Sequence, residues 1–126
     1  MSLNVLVVDD SSVARSMICK VIEMSGVPVN EIHQAGNGQE GLEVMEANWI
    51  DFVFADINMP VMNGEEMVKR IRANDAWKDT PIVVISTEGS ATRIERLNEL
   101  GAEFVHKPFS PETVHEMIIR ITGVTQ

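Results

Sequence analysis

Apolar residues recur along this chain in two rhythms that alternate from one end to the other. Residues 5–8 are a short β-branched run closed at once by Asp9-Asp10-Ser11-Ser12, which predicts a strand. From Val13 the spacing changes: Val13, Met17, Val21 and Met24 recur three and four apart, with Ala14, Ile18 and Ile22 beside them. That predicts a helix, ended by Gly26 and Pro28. Residues 32–35, diluted by Glu31, His33 and Gln34, predict an edge strand. Gly38–Ala47, with Leu42, Val44 and Met45, is the next helix, and Trp49-Ile50-Asp51 leads into Phe52-Val53-Phe54-Ala55. An apolar residue at each of those four positions fits a strand covered on both faces. After the turn residues Asn63-Gly64, Met67, Val68 and Ile71 mark a third helix. A polar loop over 74–80, a strand over 82–85, a helix over 90–100 stopped by Gly101 and a strand over 103–106 follow. Pro111 opens a last helix through Val114, Met117, Ile118 and Ile121.

Five strands alternating with five helices predict a (βα)5 α/β fold: a doubly wound parallel five-stranded sheet in a three-layer α/β/α sandwich. At 126 residues the chain suits one domain over 1–126, with no output domain after Gln126. Net charge changes the range of partners. A formal charge of -9 and a pI near 4.7 disfavour nucleic acid and anionic lipid, which call for clustered Lys and Arg. No charged leader and no apolar run of about 18 residues occurs, so a cytoplasmic protein with no membrane span is expected. Cys19, flanked by Met17, Ile18, Val21 and Ile22, has no partner for an intramolecular disulfide and reads as an inert thiol at a buried helix position. Trp49 and Trp77 read as covers for loop and helix edges, and His33, His106 and His115 are too scattered to suggest a metal site.

In a parallel sheet all strands present their carboxyl ends at one edge, where open α/β sheets bind ligands. That places Asp9, Asp10, Asp56, Ser86 and Lys107 along one rim. Singly, each has an ordinary use: the aspartates as caps, Ser86 in a turn, Lys107 as a solvated amine. The stretch around Asp56 by itself leaves capping and chemistry open; convergence at matching strand ends favours chemistry. Clustered carboxylates repel, which raises their pKa values until a cation settles among them. A site of oxygen ligands with few protein donors suits Mg²⁺. A carboxylate at the centre of such a site can attack a phosphoryl group to form an acyl phosphate, with the metal and Lys107 neutralising the equatorial oxygens and Ser86 hydrogen-bonding the phosphoryl.

These residues resemble a response-regulator receiver domain, most closely the single-domain chemotaxis type. The resemblance is carried by Asp9-Asp10 after the first strand, by Asp56 with Met59-Pro60 and Asn63-Gly64 following, by Ser86 after the fourth and by Lys107-Pro108-Phe109 after the fifth. It implies the flavodoxin-like strand order 2-1-3-4-5, with Asp56 as phosphoacceptor. It also implies Mg²⁺ held by Asp10, Asp56 and the backbone carbonyl of Asn58, Asp9 assisting directly or through water. Ser86 and Lys107 would contact the phosphoryl group, and Phe104 would take the place of the family's aromatic switch. Implied partners are a sensor histidine kinase or phosphotransfer protein and a downstream protein target on the face of helix 4, strand 5 and helix 5. The domain would be a monomer, with phosphorylation-dependent pairing as an option, and would catalyse only its own phosphorylation and dephosphorylation.

Rival readings fit less well. An aspartate-nucleophile phosphatase places its nucleophile after the first strand with a second Asp two residues on, whereas here the candidate follows the third strand and position 58 is Asn58. A flavin or nucleotide-binding module calls for a Gly, Ser or Thr-rich loop where Asp9-Asp10 would repel phosphate. An unphosphorylated pseudo-receiver scaffold does not call for the complete acidic set.

Overall fold

The computed structural model describes residues 2–57, 62–86, 91–106 and 110–122. Among them run, in chain order, β1 (Leu3–Val8), α1 (Ser12–Met24), β2 (Val29–Ala35), α2 (Gly38–Ala47), β3 (Phe52–Asp56), α3 (Gly64–Ala73), β4 (Ile82–Ser86), α4 (Ala91–Glu99), β5 (Ala102–His106) and α5 (Pro111–Thr122). The strands form one parallel sheet in the order β2-β1-β3-β4-β5, the flavodoxin-like order expected. Strand order reverses at β1, so the loops leaving β1 and β3 diverge and open a crevice between them at the carboxyl edge.

Strand alternation divides the core in two. Val5, Val7, Phe52, Phe54, Val83 and Ile85 face α1 and α5, whose Ile18, Ile22, Val114 and Ile118 pack on them. Their sequence neighbours Leu6, Val8, Val53, Ala55, Ile82 and Val84 face α2, α3 and α4, meeting Leu42, Met67, Val68, Ile71 and Leu97. Phe52 and Phe54 stack two residues apart with ring centroids 4.9 Å apart. Each buried ring or branched aliphatic here contributes about 1.5–3 kcal/mol by leaving water. The central strands therefore hold their carboxyl ends in a rigid row.

The structure adds to or departs from the sequence pattern in four places. Val13, Met17 and Met24 do not face the core: they are 69%, 64% and 64% exposed, and α1 buries the neighbouring row of Ile18 and Ile22. Both rows recur at helical spacing, and the sheet accepts one of them. The rings of Phe52 and Phe54 lie in the same core cluster as the stiff Ile pair. Cys19, next to that row, is half-buried instead of buried. Trp49 covers little; it is 74% exposed and tied down through its indole N–H, which donates to Asp51 Oδ1 at 2.8 Å. The edge strand β2 also starts earlier than its polar pattern suggested, at Val29, which pairs with Leu3. Asn58, Met59, Pro60, Gly89, Ser90, Lys107, Pro108 and Phe109 lie outside the described residues. Among the described residues no helix is long and apolar enough to cross a membrane.

Candidate functional site

Parallel pairing aligns the rim. Val8 pairs with Ala55, so Asp9 and Asp56 follow as the next residues on adjacent strands. Asp56 pairs with Ile85, which puts Ser86 one step farther on, and Ser86 pairs with His106. Asp9, Asp10 and Asp56 each bring a carboxylate oxygen to a point where the three lie within 4.8 Å of one another. They differ in burial: Asp9 is 1% exposed, Asp56 half-buried and Asp10 exposed. The crevice is thus acidic from its floor to its mouth.

The helix caps near the rim are made by other residues. Ser11 caps α1, its Oγ accepting from the Ala14 N–H at 3.2 Å, and Asn63 caps α3, its Oδ1 accepting from the Glu66 N–H at 2.9 Å. Those caps leave Asp10 and Asp56 out of work that Asp often does. Asp9 has a local role as well: its Oδ1 accepts from the Ser11 N–H at 2.9 Å, bending the chain out of β1. Asp56 Oδ1 accepts from the Ile57 N–H at 2.9 Å, which orients the carboxylate at the strand end.

Glycine at position 64 is a requirement of the site that the turn signal Asn63-Gly64 did not reveal. Its N–H donates to the Ile57 carbonyl at 3.0 Å, and a Cβ there would lie 2.5 Å from the Asp56 carbonyl oxygen and 2.9 Å from Ile57 Cα. Backbone cannot yield as a flexible side chain can, so α3 starts in contact with the peptide that carries Asp56. Gly38 does the same for the far end of that loop: its N–H donates to the Met62 carbonyl at 3.1 Å, and a Cβ would meet that oxygen at 2.8 Å. Nothing in the residue pattern distinguishes these contacts from ordinary turn or helix glycines.

A hard dication matches this donor set. Carboxylate oxygens at one rim, with no soft ligand in the cluster, suit Mg²⁺ better than zinc or copper. Of the other residues singled out from the sequence, Ser86 is buried, 3% exposed, at the end of β4. Phe104 is half-buried on β5, packed against the α2/α3/α4 core and edge-on to His106 at 4.9 Å. Lys107 and Asn58 fall outside the described residues. The three histidines do not converge: His33 lies 3.0 Å from Glu31, His115 Nδ1 is 2.8 Å from the Ser25 carbonyl, and His106 is exposed.

Known proteins match this chain over almost its whole length. The family model "Response regulator receiver domain" matches residues 5–119. Chemotaxis protein CheY1 of Helicobacter pylori (strain J99) is 33% identical over 123 residues, covering 96% of this chain and 98% of that protein. Two-component response regulator ORR6 of Oryza sativa subsp. japonica is 36% identical over 120 residues, 94% of this chain and 71% of that one. The solved structure of Vibrio cholerae chemotaxis protein CheY4 superimposes with a TM-score of 0.84 at 34% identity, over 96% of this chain and 99% of that one. With its strand order, its acidic rim and this extent of match, the chain belongs to the response regulator receiver domain family.

Proposed function

We propose that this protein is a phosphorylated switch of a two-component pathway, of the kind that serves chemotaxis or a related phosphorelay, with Asp56 as the phosphoacceptor. The observation that carries the proposal is the meeting of Asp9, Asp10 and Asp56 at one strand edge while Ser11 and Asn63 do the capping. A carboxylate oxygen of Asp56 attacks the phosphorus of a phosphohistidine on a kinase or phosphotransfer protein. The P–N bond breaks, and the imidazole leaves with the electron pair and takes up a proton. Asp9, Asp10, Asp56 and the Asn58 carbonyl would hold Mg²⁺, which supplies charge neutralisation for the phosphoryl oxygens. The Ser86 hydroxyl and the Lys107 ammonium would contact the phosphoryl group. The protein is then a signalling domain whose only chemistry is on itself.

Two surfaces support the partners this reading requires. On α1, just past Asp10, Val13 and Met17 form an exposed apolar ridge where the phosphoryl donor can lean while reaching the rim. At the sheet's β5 edge, Phe104, Met117 and Arg120 line a cleft of about 170 Å³ between β5 and α5, crossed by the Arg120 to Glu103 pair at 2.8 Å. Phosphorylation adds roughly -1.5 to -2 charges and three acceptor oxygens near Ser86. Drawing Ser86 toward it frees space for Phe104 to turn inward, repacking the α4/β5/α5 face for a downstream protein.

Acetyl phosphate with and without Mg²⁺ tests the chemistry. Intact-mass measurement should show one added phosphoryl group in wild type with Mg²⁺ and none in Asp56→Asn. The same added mass in the mutant rejects Asp56 as the acceptor.

A further inference from the structure

Arg15 is absorbed by none of the roles above, yet it touches the site's backbone. Its Nη1 donates to the Asp9 carbonyl at 2.6 Å and its Nε to Gln34 Oε1 at 3.2 Å, so one guanidinium bridges the exit of β1 and the edge strand β2. The Asp9 N–H donates to the Ala35 carbonyl at 3.1 Å, and Asp9 Oδ1 accepts from the Ser11 N–H at 2.9 Å. Asp9 is therefore held at its N–H, its carboxylate and its carbonyl by three different partners.

That carbonyl is half of the peptide plane leading into Asp10. A peptide is planar, so fixing the direction of its C=O fixes the N–H on the other side and the direction in which the next Cα projects. Asp10 needs this help. Its carboxylate is exposed and accepts no hydrogen bond from the described residues, whereas Asp9 and Asp56 each accept one from a backbone N–H. A charge-assisted bond of 2.6 Å is strong enough to hold the plane.

We infer that Arg15 is a positioning residue of the acidic rim, clamping the Asp9–Asp10 peptide against Gln34 so that the Asp10 carboxylate stays aimed at the cation. The inference rests on the proposed Mg²⁺ site. It is set apart from a purely electrostatic role by sign: an arginine that acted through its charge would repel a cation, and its removal would tighten Mg²⁺ binding. A clamp predicts the reverse.

Calorimetric titration of the whole chain with MgCl₂ alone, beside melting curves in the absence of metal, separates the outcomes. Arg15→Ala should weaken Mg²⁺ binding about 10-fold, the usual size of effect for a group that orients a ligand. Arg15→Lys should recover most of that, because an ammonium reaches the Asp9 carbonyl although it cannot also hold Gln34. Gln34→Ala, which leaves the carbonyl contact in place, should cost less than Arg15→Ala. These two milder variants carry the test should Arg15→Ala fail to fold. Binding equal to or tighter than wild type in Arg15→Ala, or no rescue by Arg15→Lys, overturns the clamp. Absence of Mg²⁺ binding by wild type overturns the metal site itself, and the clamp with it.

Discussion

Strand β3 is preceded by one aspartate, Asp51, and ends at another, Asp56, and the two are treated in opposite ways. At the amino edge Asp51 is consumed by structure: Oδ2 accepts from the Asn4 N–H at 2.9 Å and Oδ1 from the Trp49 indole N–H at 2.8 Å, which locks the starts of β1 and β3 together. At the carboxyl edge Asp56 is held beside two further carboxylates. The same contrast extends along both edges. On the amino side Arg72 of α3 spreads its guanidinium over the carbonyls of Leu100 at 2.6 Å, Thr80 at 2.7 Å and Gly101 at 3.2 Å, closing the turn between α4 and β5. Burial pushes the Arg72 pKa below its ordinary value, with Asp79 pulling the other way, and the group stays charged at neutral pH. One end of the sheet neutralises its polar groups, while the other concentrates like charge that a bound cation can relieve. Stabilising contacts are gathered at one edge and acidic charge at the other.

Breaking the amino edge should give the largest change in stability. Arg72→Ala removes a charged donor from several carbonyls at once and should cost about 2–4 kcal/mol. That lowers the melting temperature by roughly 10 °C in a chain of this size. Mg²⁺ affinity should hold, because the latch lies at the opposite end of the strands; a parallel loss of metal binding would show that the two edges are not separable.

At the carboxyl edge the sign should reverse. Asp10→Ala should abolish calorimetric Mg²⁺ binding while the metal-free melting temperature stays level or rises, since a repulsive charge is gone from the cluster. Unchanged Mg²⁺ affinity would sink the metal site, and a clear drop in metal-free melting would show Asp10 to be structural, as Asp51 is.

Cys19, midway along α1 between the two edges, sharpens the contrast with the smallest effect. Burial, with help from Glu23, raises its thiol pKa above the ordinary value, whereas Arg15 lowers it slightly. A raised pKa in the folded state means that the native thiol holds its proton longer than the unfolded one. Its stabilising contribution is therefore complete below about pH 8.5 and is lost as pH climbs through the folded value. Cys19→Ser should flatten the fall in stability from pH 8 to 10 by less than about 1 kcal/mol, and alkylation of the native thiol at pH 8 should be slower than that of the unfolded chain. Equal alkylation rates would contradict the shift.

Element type and order were legible in the sequence because period and punctuation are local properties: Phe52 to Ala55 can be read as a doubly covered strand, and Gly38–Ala47 as a helix, from neighbours alone. So was the rim, since parallel strands must end on one side and Asp9, Asp10, Asp56 and Ser86 each follow an apolar run. What the chain could not say concerned choices between equivalent local patterns. Val13 and Met17 recur as regularly as Ile18 and Ile22, and only docking on the sheet decided which row left the water. Whether Asp56 capped a helix or faced the crevice depended on Asn63 seven residues later taking the cap, with Gly64 packed on the Asp56 carbonyl. Arg15 looked like any helix arginine until β2 lay beside β1 and brought Gln34 within reach. Local pattern determined the strands, the helices and the residues at their ends; contacts between residues distant in sequence, whose energies no single segment carries, decided which of those residues serve structure and which are left for chemistry.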